Sequence, residues 1–185
     1  NYVRSSAIHE SNDLKLNIAN LKLNKVFTGK LLRLDNLLPH TLADPFLIAK
    51  ENVLYIFLES QSRRQQGKII SYMTKDLKNY TNLGIILEED YHLSYPFVFS
   101  HDNAEYLIPE SESASEITLY KFEAFPYRPK KIRVLLHGRY CDTSLFYYEG
   151  LWYLFTTSDK GLEIFWSENL LNSEFQPHFK NPITN

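Results

Sequence analysis

The sequence predicts an all-β fold, a β-propeller of which three four-stranded blades lie in this chain. Three observations predict it: an internal repeat, short apolar runs cut by turn residues, and a globular composition. Residues 44–60, 95–111 and 142–158 align without gaps, at spacings of 51 and then 47 residues. A period near 50 assembled from short strands is the spacing of propeller blades, not of helical solenoids. At 185 residues, with 44% apolar and 15% aromatic side chains, the chain has the material for a real core.

Within each repeat, apolar runs of five to seven residues end at Gly, Asn or Asp clusters, which is the pattern of strands joined by tight turns. The first repeat predicts strands at 46–49, 53–59, 68–74 and 83–87, with Lys50-Glu51-Asn52 as a hairpin turn. The second predicts 97–100, 105–109, 116–122 and 132–136. In the third, Glu149-Gly150 turns the chain, followed by strands at 152–156, 162–166 and near Phe175. The domain plan is therefore an N-terminal segment at 1–43, then blades at 44–93, 94–141 and 142–185. In the first segment Leu14, Leu16 and Ile18, then Leu21, Leu23 and Val26, alternate more than they follow a helical period, and Thr28-Gly29 interrupts them. This predicts one or two strands over 25–35 that complete or cover a blade.

Composition excludes several functions. With 20 basic against 22 acidic residues the net charge is −2, so no basic surface is available to neutralise a phosphate backbone and nucleic acid is not an expected partner. No run approaches the roughly 18 apolar residues of a spanning helix, so membrane insertion is not expected. The lone Cys141 excludes an internal disulfide framework and points to a reducing, cytoplasmic setting. The six histidines are dispersed, and no phosphate-binding, dinucleotide or nucleophile-elbow motif occurs, so neither metal nor cofactor is expected.

The strand heads carry the candidate chemistry. The innermost strand of a blade lines the central channel, so Asp44, Tyr95 and Asp142, aligned at the head of that strand, converge on one funnel. A glycosidase needs two carboxyls roughly 6.5–9.5 Å apart for inversion, one as acid and one as base, and two blades can hold Asp44 and Asp142 so. Aspartate at a strand head also caps turns through its own oxygens, and that reading stays open. A second aligned column holds Glu59, Glu110 and Thr157, each followed by Ser, and within it Glu110 is singled out by the flanking Pro109. The run from Glu88 to Tyr95 adds Glu89, His92 and Tyr95. Acids beside aromatics suit a sugar, whose hydroxyls bond carboxylates while its apolar face stacks on rings. The candidate substrate-binding set is Glu89, His92, Tyr95, Glu110, Tyr140 and Thr143, with Asp44 and Asp142 as the catalytic pair.

Several strings are familiar. The segments Ala43-Asp-Pro-Phe-Leu47, His92-Leu-Ser-Tyr-Pro-Phe-Val-Phe99, Ile108-Pro-Glu-Ser111 and Leu162-Glu-Ile-Phe-Trp166, with Pro177-His178 and Asn181-Pro182, resemble the N-terminal propeller domain of the glucosamine inositolphosphorylceramide transferases. The resemblance spans about residues 43–183. More distantly, an Asp-Pro strand head followed two blades on by Asp-x-Ser-Leu-Phe is similar to the five-bladed propellers of glycoside hydrolase family 43. This second likeness implies five blades, with Asp44 as general base and Asp142 positioning the acid. The acid itself falls in a fourth blade and has no counterpart here. The first likeness implies a propeller whose transfer chemistry resides in a separate domain. The expected function is a carbohydrate-associated domain that binds or positions a sugar without hydrolysing it. The alternatives are a family-43-like hydrolase with Asp44 as base, and an assembly module without ligand. Three blades leave open edges, so the remaining blades, a transferase-type domain or a second copy are expected partners beside the sugar.

Overall fold

The computed structural model describes residues 40–62 and 65–184, and the strands expected over 25–35 lie outside them. Twelve strands follow in chain order: β1 His40–Lys50, β2 Val53–Ser62, β3 Lys68–Thr74, β4 Thr81–Leu87, β5 Ser94–His101, β6 Ala104–Glu110, β7 Glu116–Ala124, β8 Tyr127–His137, β9 Cys141–Tyr148, β10 Leu151–Ser158, β11 Gly161–Ser167 and β12 Gln176–Pro177. They form three four-stranded antiparallel sheets, each ordered as in the sequence, β1–β4, β5–β8 and β9–β12. Among the described residues no helix is long and apolar enough to cross a membrane.

The first hairpin of each sheet turns in the same way. Lys50 pairs with Val53, His101 with Ala104 and Tyr148 with Leu151, leaving two residues in each loop. Both loop residues have positive φ: Glu51 and Asn52 at 50° and 63°, Asp102 and Asn103 at 47° and 57°, Glu149 and Gly150 at 49° and 86°. That conformation matches the right-handed twist of the strands, and Asn and Gly enter it at little cost.

Successive sheets pack face to face with their first strands adjacent, β1 beside β5 and β5 beside β9. Phe57, Ile69, Leu93, Val98, Leu107, Tyr120 and Phe122 fill the layer between the first and second sheets. Phe97, Tyr106, Ile108, Leu119, Leu145, Trp152, Leu154 and Phe165 fill the next. Each strand alternates accordingly, so Leu107 faces one layer and Ile108 the other. Burying one such side chain is worth about 1.5–3 kcal/mol, and these two layers hold the sheets together.

Two strands are longer than their residues suggest. β1 begins at His40, not at 46, because the ladder continues past Asp44-Pro45 to pair Ala43 with Glu59 and His40 with Ser62. β8 runs from Tyr127, not from 132. Its Pro129, Lys130 and Lys131 read as loop, yet they suit an outermost strand, where a missing donor and repelling charges discourage further pairing.

Candidate functional site

At the end of the sheets opposite these hairpins, each first strand contains the same irregularity. Asp44 and Pro45 stand against Leu58 alone, Tyr95 and Pro96 against Pro109, and Asp142 and Thr143 against Thr156. Two residues facing one is a β-bulge, and its first residue is left-handed in all three, with φ of 50° at Asp44, 42° at Tyr95 and 54° at Asp142. A left-handed non-glycine residue costs of order 1–3 kcal/mol and persists where its surroundings over-determine it. Here they do. The Tyr95 N–H donates to Asp44 Oδ2 of the neighbouring sheet at 3.3 Å, and the Asp142 N–H donates to Glu110 Oε2 at 3.0 Å. The Tyr95 hydroxyl and Ser144 Oγ share a further bond at 3.2 Å.

The bulges bring four carboxyls and a histidine together. Glu59, which pairs with Ala43 just before the first bulge, is buried. Desolvation pushes its carboxyl up from the ordinary range, and the charges of Asp44 and Glu110 and a hydrogen bond with Asp44 push the same way, while His92 opposes them. Glu110 is raised by burial and by Asp142, against the bond from the Asp142 N–H and one from Ser94. Asp142 is also raised, by desolvation first and then by Asp44, although its residue is exposed and water screens part of this effect. Glu59, Glu110 and Asp142 are thus each raised by burial and by the charge of a neighbouring acid at the point where the first strands meet.

His92 is fixed from both sides. The Gly67 N–H donates to His92 Nδ1 at 3.0 Å, so the ring proton sits on Nε2, which lies 3.4 Å from Glu59 Oε1. Gly67 permits this approach. A Cβ there would lie 2.5 Å from the Leu93 carbonyl oxygen, 2.6 Å from His92 Cε1 and 2.9 Å from Glu59 Oε1. The ring of Phe46 meets Tyr95 edge-on at 4.8 Å and supplies an apolar wall.

Of the residues expected from the sequence, Asp44, His92, Tyr95, Glu110 and Asp142 come together here. Three others stand elsewhere. Glu89 accepts a 3.0 Å bond from Tyr120, a buried phenol held protonated by desolvation between the first two sheets. Thr143 is buried, with its hydroxyl bonded to Thr156 Oγ1 at 3.0 Å, which leaves it inside the third sheet. Tyr140 packs edge-on against Phe165 at 5.7 Å in the layer between the second and third sheets. The Tyr140 ring and the Thr143 hydroxyl are engaged within the sheets and the layer between them, and the Glu89 carboxyl meets the Tyr120 hydroxyl. Glu59 and Gly67 were not in the expected set. Glu59 was signalled by its alignment with Glu110, whereas nothing in the sequence marks Gly67.

No three His, Cys, Asp or Glu side chains among the described residues are placed to hold a metal ion. A groove of about 480 Å³ opens at the hairpin end, lined by Lys50, Tyr55, Glu105, Lys121 and Phe125 among others, and it includes none of the four clustered acids.

A family model described as "Glucosamine inositolphosphorylceramide transferase 1, N-terminal" matches residues 9–185. The chain belongs to this family. Glucosamine inositolphosphorylceramide transferase 1 of Arabidopsis thaliana is 36% identical over 154 residues, which cover 78% of this chain and 20% of the relative. The protein of the same name from Oryza sativa subsp. japonica is 35% identical over 150 residues, 76% of this chain and 20% of its own length. The chain therefore spans about a fifth of the curated relatives it matches. Among solved structures, a thermostable family-43 glycoside hydrolase superposes with a TM-score of 0.65 at 12% identity, over 78% of this chain and 56% of the other. Zg3597, a family 117 glycoside hydrolase from Zobellia galactanivorans, gives 0.64 at 12% identity, over 79% and 57%. These likenesses show the fold: the three sheets of this transferase N-terminal family are of propeller type.

Two measurements test the site's electrostatics and packing. Gly67→Ala forces its methyl against the Leu93 carbonyl and is expected to cost about 1–3 kcal/mol in urea denaturation, as overpacking does. A neutral result contradicts the close approach. For Glu59, a folded pKa raised above the unfolded value near 4.3 means that ionisation opposes folding. The penalty is absent below about pH 4 and grows as pH rises through the folded value. Glu59→Gln is therefore expected to gain stability over wild type as pH rises from about 4 to 7, and a difference independent of pH sinks the assignment.

Proposed function

We propose that this chain is a sugar-binding propeller domain of a glycan-building protein, one that positions a carbohydrate at the strand heads and does not hydrolyse it. The observation that carries the reading is the convergence of Asp44, Glu59, Glu110 and Asp142 with His92 and Tyr95 beside the Phe46 ring. Several carboxyl oxygens beside a histidine ring and a phenol hydroxyl offer hydrogen-bonding groups of both kinds, which suits hydroxyls that donate and accept.

Hydrolysis asks more of the same groups. It needs one carboxyl free to protonate a leaving oxygen and another free to activate water on the opposite side. Asp44 and Glu110 are instead tied to backbone N–H groups of the neighbouring sheet, where they hold the bulges. The name of the curated relatives, a transferase that uses glucosamine and inositolphosphorylceramide, favours a role in glycolipid assembly, with the transfer step outside this domain. The likeness to the glycosidases favours a ring of five such sheets in the whole protein.

Titration calorimetry with glucosamine, N-acetylglucosamine and mannose tests this. One of these sugars is expected to bind, with affinity falling about tenfold or more in Asp44→Asn and in Glu59→Gln, the loss of a charged hydrogen bond being worth about 1.5–3 kcal/mol. Glu89→Gln is expected to bind as wild type. Absence of binding up to roughly 0.1 M sugar, some 1.4 kcal/mol above molar affinity, overturns the reading. Cleavage of aryl glycosides by wild type that is lost in Asp44→Asn replaces it with the hydrolase.

A further inference from the structure

The total charge of −2 conceals a division across the hairpin end of the first two sheets. Each of these sheets carries two turns there. The inner turn joins its first and second strands, and the outer turn joins its third and fourth. Leu54, beside the first inner turn, pairs with Thr74, and Tyr106, near the second, pairs with Lys121, so inner and outer turns share the end opposite the strand heads. The two outer turns are neighbours, since β4 packs beside β8 and the Phe125 ring of the second turn meets Tyr55 of the first sheet edge-on at 4.8 Å.

The inner turns hold the acids Glu51 and Asp102, and Lys50 beside them is paired with Glu105 at 2.5 Å. The outer turns hold cations. Residues 75–80 and 121–130 together contain five basic side chains, Lys75, Lys78, Lys121, Arg128 and Lys130, against the acids Asp76 and Glu123. All five are exposed, and among the described residues only Lys130 of the five meets a carboxylate, that of Glu123 at 3.7 Å. The Asp76 carboxylate is occupied within its own turn, where it accepts the N–H groups of Lys78 at 2.9 Å and Asn79 at 2.8 Å. Lys121 and Lys130 stand directly opposite each other on β7 and β8, where like charges repel. An anionic partner relieves that repulsion.

The same turns present apolar side chains to solvent. Leu77, at the tip of the first, is left-handed with φ of 57° and is 37% exposed. A bulky side chain is unfavourable in that region, which Asn or Gly enters readily. The turn nevertheless holds it there: the Leu77 N–H donates to Thr74 Oγ1 at 2.9 Å, and the Tyr80 hydroxyl donates to the Leu77 carbonyl at 3.2 Å. Strain of this kind, kept at an exposed tip, points to a use for the side chain. Tyr127, in the second outer turn, is 44% exposed. Cations around exposed apolar tips match the headgroup layer of an anionic bilayer, where ammonium and guanidinium groups meet lipid phosphates while Leu and Tyr enter the boundary with the acyl chains. A nucleic acid or an acidic polysaccharide engages the cations but has no use for Leu77.

We infer that the two outer turns dock this domain on the surface of an anionic lipid bilayer, with Lys75, Lys78, Arg128 and Lys130 against the headgroups and Leu77 and Tyr127 in the interface. The contact is peripheral, made by two turns that lie on the membrane and do not cross it. It places the strand heads at the end away from the lipid and does not depend on sugar binding, so the two readings can fail separately.

Co-sedimentation of the full-length protein with lipid vesicles tests this. Wild type is expected to bind phosphatidylcholine vesicles containing about 30% phosphatidylserine about tenfold or more tightly than phosphatidylcholine alone, and to lose that preference in roughly 0.5 M salt. Lys78→Glu combined with Arg128→Glu is expected to lower affinity for the anionic vesicles about tenfold or more. Leu77→Asn separates the apolar tip from the fold. Because Asn suits the left-handed turn, thermal stability is expected to hold or rise while affinity for the anionic vesicles falls about threefold or more. Equal binding to both kinds of vesicle overturns the inference, as does wild-type affinity for the anionic vesicles in either variant. Equally tight binding of duplex DNA or heparin, unchanged in Leu77→Asn, overturns it too and assigns the rim to a polyanion.

Discussion

At the head of each sheet's first strand, two residues oppose one and the first of them is turned left-handed, at Asp44, Tyr95 and Asp142. The extra residue breaks the ladder and leaves a backbone N–H without its strand partner, a group that is costly to bury unmatched. The neighbouring sheet supplies the acceptor, Asp44 for Tyr95 and Glu110 for Asp142. Local irregularity and sheet-to-sheet attachment are therefore one feature. The proline at the second bulge position of the first two sheets fits, since it has no N–H to satisfy. In the third sheet Thr143 stands there and turns its hydroxyl to Thr156.

Because carboxylates serve as the acceptors, acids accumulate where the strands meet. Their loss of water, and then the charges of neighbouring acids, raise Glu59, Glu110 and Asp142, while His92, held by Gly67, partly relieves Glu59. The cluster is costly to fold and polar enough to bind. A ligand rich in hydroxyls returns to these carboxyls some of the hydrogen bonds that burial removed. The same bulges that attach the sheets thus form the surface at which we propose that a sugar binds.

Much of the fold was legible because it repeats. Three gapless alignments located the first hairpins, and the two-residue turns at Glu51-Asn52 and Glu149-Gly150 follow from residues that accept positive φ. The aligned column Asp44, Tyr95 and Asp142 marked the strand heads because a bulge requires the same backbone in each sheet. Less legible were features set by tertiary contact. Pro45 and Pro129 fall outside the expected strands, yet one sits in a bulge and the other on an outer edge strand. Thr143 lies next to Asp142 in the chain but on the opposite face of its strand, and Glu89 is drawn to Tyr120 by a core that the linear pattern does not show. Gly67 carries its meaning only through the Leu93 carbonyl and the His92 ring that come from another part of the chain.

Carbon-13 NMR of the side-chain carboxyls during titrations with glucosamine, N-acetylglucosamine and mannose addresses the central claim most directly. If the strand heads hold the sugar, the resonances of Asp44, Glu59, Glu110 and Asp142 move with saturable curves that share one dissociation constant, while Glu89 stays in place. Movement confined to Glu51, Glu105 and Glu123 in the groove at the hairpin end, or no movement of the clustered acids at all, contradicts it.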